Sequence, residues 1–149
     1  MLENWYQMFF WRHVKDSGMA VLGMGKLRPY GEVSGLRSAD RAQDSRHGHW
    51  SQEGNIFDAL LADSGLSLVA LEYKLEADEH SIAQCLRYLA FLRKWNVRRR
   101  VMKEPHVALI TIRVTNKFIA LLNEIKGMNK SLSIWHAKPT VYGIEMSRL

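Results

Sequence analysis

Ile56-Phe57-Asp58-Ala59-Leu60-Leu61-Ala62, then Asp63-Ser64-Gly65, then Leu66-Ser67-Leu68-Val69-Ala70-Leu71-Glu72-Tyr73-Lys74-Leu75: two apolar runs flank a polar break containing glycine. This is the pattern of a β-hairpin, because short apolar runs bounded by turn residues pair back on themselves. Side chains alternate faces along a strand, so Glu72 and Lys74 share one face with Ala70, and Leu71, Tyr73 and Leu75 take the other. An odd-length loop from Ser64 to Leu66 sets Asp58 opposite Glu72. An even loop pairs Asp58 with Leu71 instead and turns the two carboxylates to opposite faces.

Working outward, residues 2–15 place Leu2, Trp5, Phe9, Phe10 and Val14 at helical steps among polar residues, which predicts an amphipathic helix ended by Asp16-Ser17-Gly18. Met19 to Leu27 reads as a short strand. From Pro29 to Gly54 the chain is polar with few aliphatics, and this predicts a surface loop at about 29–54. Beyond the hairpin, residues 79–97 form a long helix with Ile82, Leu86, Leu89 and Leu92 or Arg93 along one side. His106 to Val114 is the clearest strand, and Asn116 to Ile125 is a second helix closed by Lys126-Gly127. Ser131 to His136 and Val141 to Met146 are two strands joined by Ala137-Lys138-Pro139-Thr140. Helices interleaved with strands predict an α/β or α+β domain, a central mixed sheet flanked by helices. The 149 residues fit a single domain, 1–149.

Composition narrows the function classes. Hydrophobic residues make up 47% and charged residues 24%, the balance of a chain that packs a core. No apolar run approaches the roughly 18 residues of a membrane span, and the first residues lack the pattern of a secretion signal. Cys85 is the only cysteine, which excludes an internal disulfide and fits a reducing cytoplasm. A net charge of +6 leans toward a polyanionic partner, since neutralised phosphates release counterions.

Two carboxylates converging beside a lysine suit a hydrated Mg²⁺ ion, which takes oxygen ligands and keeps waters for a substrate phosphate. The ammonium group orients a nucleophile or steadies charge on the pentavalent phosphate, so phosphodiester hydrolysis is the expected chemistry. Glu-x-Lys alone has little specificity. Glu124-Ile125-Lys126 repeats it at the end of a predicted helix, where positions two apart do not face each other. Other polar features have simpler roles. Arg93, Lys94, Arg98, Arg99, Arg100 and Lys103 either complement the helix dipole or form a phosphate-contacting rim. His47-Gly48-His49 lacks a third ligand, and Gly23-Met24-Gly25 lacks the rest of a phosphate loop. Cys85, among apolar residues, reads as a buried thiol, and Arg113 lies on a strand face with Thr111 and Thr115.

Asp58, the hairpin, Glu72-Tyr73-Lys74 on an apolar strand, and the helix that follows with Gln84 and Tyr88 together resemble the core of the PD-(D/E)XK nuclease superfamily over about residues 56–92. The Gln-x-x-x-Tyr element is similar to that of RecB-like and transposase-associated branches. The resemblance implies a restriction-endonuclease-like sandwich and a Mg²⁺-dependent DNA endonuclease, with Mn²⁺ able to substitute. It implies metal binding by Asp58, Glu72 and the main-chain carbonyl of Tyr73, with Lys74 serving the attacking water. Gln84 and Tyr88 would then face the site or the DNA, and Arg87, Arg98, Arg99 and Arg100 would contact nucleic acid. Phe57 replaces the nominal proline, and the further glutamate of the family's first helix has Glu3 or Glu32 as its candidates, Glu32 the better of two weak ones. A homodimer would supply the two sites that cutting a duplex needs, and a helper subunit would add surface to so short a chain. The alternative reading is a catalytically silent nuclease fold that binds nucleic acid or joins an assembly.

Overall fold

Residues 27–29, 50–52, 55–63, 67–98, 100, 103–125, 127, 129–141 and 143–149 are those that the computed structural model describes. Along them run β1 (Arg28–Pro29), β2 (Trp50–Gln52), β3 (Asn55–Phe57), β4 (Ala59–Ala62), β5 (Leu68–Glu76), α1 (Glu79–Arg98), β6 (His106–Arg113), α2 (Asn116–Ile125), β7 (Leu132–Thr140) and β8 (Gly143–Arg148). The helix expected over 2–15 and nearly all of the strand expected at Met19 to Leu27 lie outside the described residues.

The main sheet is six-stranded in the order β1-β4-β5-β6-β7-β8. β4 and β5 pair antiparallel, β5, β6 and β7 run parallel, and β7 and β8 pair antiparallel. Parallel neighbours need a crossover, and α1 and α2 supply the two. The fold is therefore mixed α/β around a mixed sheet. Among the described residues no helix is long and apolar enough to cross a membrane.

The sheet is buried on both sides, which explains why β5 and β6 read as nearly continuous apolar runs. On one face Leu60, Leu68, Ala70, Val107 and Leu109 pack with Ile82, Cys85, Leu89, Leu92 and Trp95 of α1. On the other, Ala59, Leu61, Val69, Leu71, Tyr73, Ala108 and Ile110 pack with Leu27. Glu72 and Lys74, in phase with Leu68 and Ala70, belong to the α1 face.

Helix ends follow local chemistry. Asp78 and Ser81 cap α1 reciprocally: the Asp78 carboxylate accepts from the Ser81 N–H at 3.0 Å, and Ser81 Oγ accepts from the Asp78 N–H at 3.1 Å. Ser81 thereby holds the Asp78 carboxyl below its usual range. Thr115 Oγ1 caps α2 by accepting from the Phe118 N–H. Gly127, at φ 82°, follows α2 with the left-handed turn expected there.

Four expectations are corrected. The strand expected from Ile56 to Ala62 breaks at Asp58: β3 pairs with β2 in a separate two-stranded sheet, and only β4 joins the main one. The span 29–54 is not loop throughout, because Pro29 belongs to β1 and Trp50–Gln52 is β2. Leu86 is 41% exposed, since the buried stripe of α1 runs through Ile82, Cys85, Leu89, Leu92 and Asn96 and Leu86 lies about 80° from its centre. Ala137 to Thr140 is strand and not connection, continuing β7 against β8 as far as Thr140 opposite Gly143. Pro139 is tolerated there because pairing with β6 ends at His136, so β7 has a strand on one side only.

Candidate functional site

Ala59 faces Leu71 and Leu60 faces Ala70. Extending that register by one residue sets Asp58 opposite Glu72, the outcome of the odd loop. The loop is closed from both sides: the Ser67 N–H donates to Asp63 Oδ1 at 2.9 Å, and the Asp63 N–H donates to the Ser67 carbonyl at 3.1 Å.

At the other end of this ladder the chain bends at Asp58, and β4 gives β5 no pair beyond Ala59. The next β5 residue whose backbone points that way is Tyr73, and its N–H donates to Asp58 Oδ2 at 2.8 Å. A side-chain carboxylate thus stands where a strand carbonyl would have been. In an antiparallel ladder the N–H and C=O of one residue point to the same neighbour, so the Tyr73 carbonyl is directed to the Asp58 side as well.

Glu72 is only 4% exposed, and its Oε1 meets Lys74 Nζ at 3.4 Å. A buried carboxylate costs several kcal/mol unless it is paired, and Lys74, half-buried at the rim, supplies the opposite charge. From α1, Tyr88 and Cys85 turn toward the same place. Gln84 Nε2 donates to the Tyr88 hydroxyl at 2.7 Å, one helical turn apart. Burial, then the Glu72 charge, pushes the Tyr88 hydroxyl up to about 12, with Asp58 adding to it. Burial and then Glu72 push the Cys85 thiol up, with Lys74 opposing and Asp58 reinforcing. Burial, then Asp58 and Glu72, raise the Tyr73 hydroxyl well above its ordinary value. The charges of Asp58 and Glu72 thus both bear on Tyr73, on the Leu27 face of the sheet, and on Tyr88 and Cys85 of α1.

The remaining predicted residues divide. Arg87 is exposed on α1 beside Tyr88. Arg98 lies ten residues beyond Tyr88, about 15 Å along the helix axis. That end of α1 sits by the β4–β5 turn, where Asn96 Nδ2 donates to the Lys103 carbonyl, Lys103 Nζ meets Asp63 at 3.3 Å and Ser67 Oγ donates to the Glu104 carbonyl. Arg98 and Arg100 are thus not brought to the carboxylates. Arg99, Glu3, Glu32, His47 and His49 lie outside the described residues.

In the sequence Thr111 stands out only for its place on a strand face. It is fully buried, and its Oγ1 accepts the Ala77 N–H at 3.0 Å, fixing the chain between Lys74 and the start of α1. No sequence signal distinguishes it from other strand threonines. On the opposite face of the sheet His106 Nε2 lies 2.7 Å from Ser133 Oγ, which accepts from Trp135 Nε1 at 2.8 Å. Burial, then Arg148, pushes His106 down to about 4, so its ring is neutral at physiological pH.

Among the described residues no three of His, Cys, Asp and Glu are grouped to hold a metal ion. Two carboxylates and the Tyr73 carbonyl would offer oxygen atoms alone, the ligand type of a hard cation that keeps several waters. No family model, curated protein or solved structure matches the chain.

Proposed function

We propose that the chain is a Mg²⁺-dependent DNA nuclease with a restriction-endonuclease-like arrangement. The observation that carries this reading is the β4–β5 register: its last pair is Ala59–Leu71, and beyond it the Asp58 carboxylate accepts the Tyr73 N–H, next to a buried Glu72 that pairs with Lys74 at the rim. Asp58, Glu72 and the Tyr73 carbonyl would hold the ion, which supplies charge neutralisation at the phosphate and acidifies bound water. Lys74, anchored by Glu72, orients the attacking water and donates to the phosphate oxygens as negative charge grows on them. Water adds to phosphorus, the bond to the 3′ oxygen breaks, and a 5′-phosphate and a 3′-hydroxyl remain. Gln84 and Tyr88 position the substrate from α1, with Arg87 on the exposed side of that helix.

A silent nuclease fold that binds nucleic acid is the second reading. It is favoured by the same two contacts, because Asp58 on Tyr73 and Glu72 on Lys74 also serve to hold the strand end together. Plasmid nicking with and without Mg²⁺, beside Lys74→Ala, separates the two. The nuclease reading expects nicking that a chelator and the substitution both abolish. Metal-independent binding without scission would favour the silent fold.

A further inference from the structure

Lys74 and a divalent cation make the same demand on Glu72. The Glu72 side chain is 5% exposed and its Oε1 meets Lys74 Nζ at 3.4 Å, so the positive charge beside that oxygen is one the chain supplies itself. The contact is a loose one, since a tight charge-assisted hydrogen bond between nitrogen and oxygen closes to about 2.8 Å. Lys74 is 31% exposed and carries its ammonium on a flexible stem, so it can give way to water while β5 holds Glu72 in place. A Mg²⁺ ion takes carboxylate oxygens at about 2.1 Å, closer than the lysine comes. An ammonium and a divalent ion on one half-buried carboxylate repel each other, so the two cannot both hold it at full strength.

Exchange also avoids the usual cost of breaking such a pair. Withdrawing Lys74 alone would strand a buried carboxylate. Withdrawing it as another cation arrives leaves Glu72 compensated throughout. Asp58 adds to the attraction for a cation, because its charge bears on Tyr88 and Cys85 of α1 as that of Glu72 does. We propose that Lys74 and Mg²⁺ compete for Glu72: the lysine neutralises the carboxylate until it gives way to the ion, and is thereby freed for the substrate phosphate. The inference rests on the nuclease reading and deepens it. Lys74 has two successive partners, and it reaches the second only after a metal has taken the first. Its charge therefore weakens metal binding.

Calorimetric titration of the full chain with MgCl₂ alone, without DNA, tests this. Lys74→Met keeps a long stem and removes the charge, and it should bind Mg²⁺ about tenfold more tightly than the parent. Lys74→Arg keeps the charge and should bind as weakly as the parent. Lys103→Met, which removes the lysine paired with Asp63 at the other end of β5, should leave the affinity unchanged, so the effect is local and not one of net charge. Where circular dichroism shows that Lys74→Met does not fold, the parent decides. Its Lys74 Nζ resonance, assigned with Lys74→Arg, should move on adding MgCl₂ toward that of the exposed Lys138. Binding no tighter in Lys74→Met, or a Lys74 resonance unmoved at saturating Mg²⁺, overturns the proposal and leaves the nuclease reading standing. So does a tightening that Lys103→Met or Lys74→Arg reproduces. No Mg²⁺ binding in the parent or in Lys74→Met rejects the metal site itself, and both readings fall.

Discussion

The two ends of β5 use the same groups under different burial. At the hairpin end Asp63 accepts the Ser67 N–H at 2.9 Å and meets Lys103 at 3.3 Å; the lysine is 61% exposed. At the other end Asp58 accepts the Tyr73 N–H at 2.8 Å, and Glu72 meets Lys74 at 3.4 Å with the glutamate side chain only 5% exposed. In each case an aspartate closes a strand end through a backbone N–H, and a lysine stands near a carboxylate. The first is an ordinary loop closure that solvent screens. The second keeps a carboxylate under a helix, beside Tyr88 and Cys85, where an apolar residue would pack at lower cost. This difference in burial is what the proposed chemistry rests on.

The contrast breaks most visibly at the lysines. Lys74→Ala strands a buried carboxylate and should cost about 1–3 kcal/mol by urea unfolding, less than a fully buried pair costs because Lys74 is partly solvated. Lys103→Ala, at the other end, should cost less than about 0.5 kcal/mol. Equal losses would mean that Glu72 is solvated in solution. Next in size, Glu72→Leu should leave stability unchanged or raise it by about 1 kcal/mol while removing Mg²⁺-dependent nicking. A large loss of stability there would show that the carboxylate is structural. Tyr88→Phe removes a hydroxyl bonded to Gln84 and should cost about 1 kcal/mol or less, read from the same unfolding curves.

The smallest effect is a control on the far side of the sheet. His106, pushed down to about 4, binds more protons unfolded than folded between its ordinary value near 6.5 and that value. Its contribution to stability is therefore present above about pH 6.5 and is lost as pH falls toward 4. His106→Gln should flatten that part of the stability profile and leave nicking at pH 8 unchanged. A profile of unaltered slope in the variant would place the acid sensitivity elsewhere.

Most of the hairpin was legible because it depends on local sequence. Asp63-Ser64-Gly65 marks the turn, strand alternation puts Glu72 and Lys74 on one face, and the parity of the loop decides whether Asp58 stands opposite Glu72. The helix after the hairpin was legible for the same reason, including Gln84 one turn from Tyr88. What failed depended on tertiary surroundings. An apolar run from Ile56 to Ala62 does not announce that it changes sheets at Asp58, because the bend is decided by pairing with β2. Leu86 is apolar at near-helical spacing, yet Cys85 takes the core position, because the docking of α1 on the sheet sets which side of the helix is buried. Pro139 looked like a break because proline is excluded from strands with two neighbours, and nothing local says that β7 has only one there. The basic run after Lys94 was legible as charge but not as position, which the docking of Lys103 and Glu104 on the hairpin turn sets.

Asp58→Asn and Asp63→Asn, compared in plasmid nicking with Mg²⁺, test the central claim most directly. Both substitutions keep an oxygen able to accept the backbone N–H, and each removes one negative charge from one end of β5. The account predicts that Asp58→Asn loses at least about a hundredfold in rate and that Asp63→Asn cuts like the parent protein. Equal rates in the two variants would contradict it.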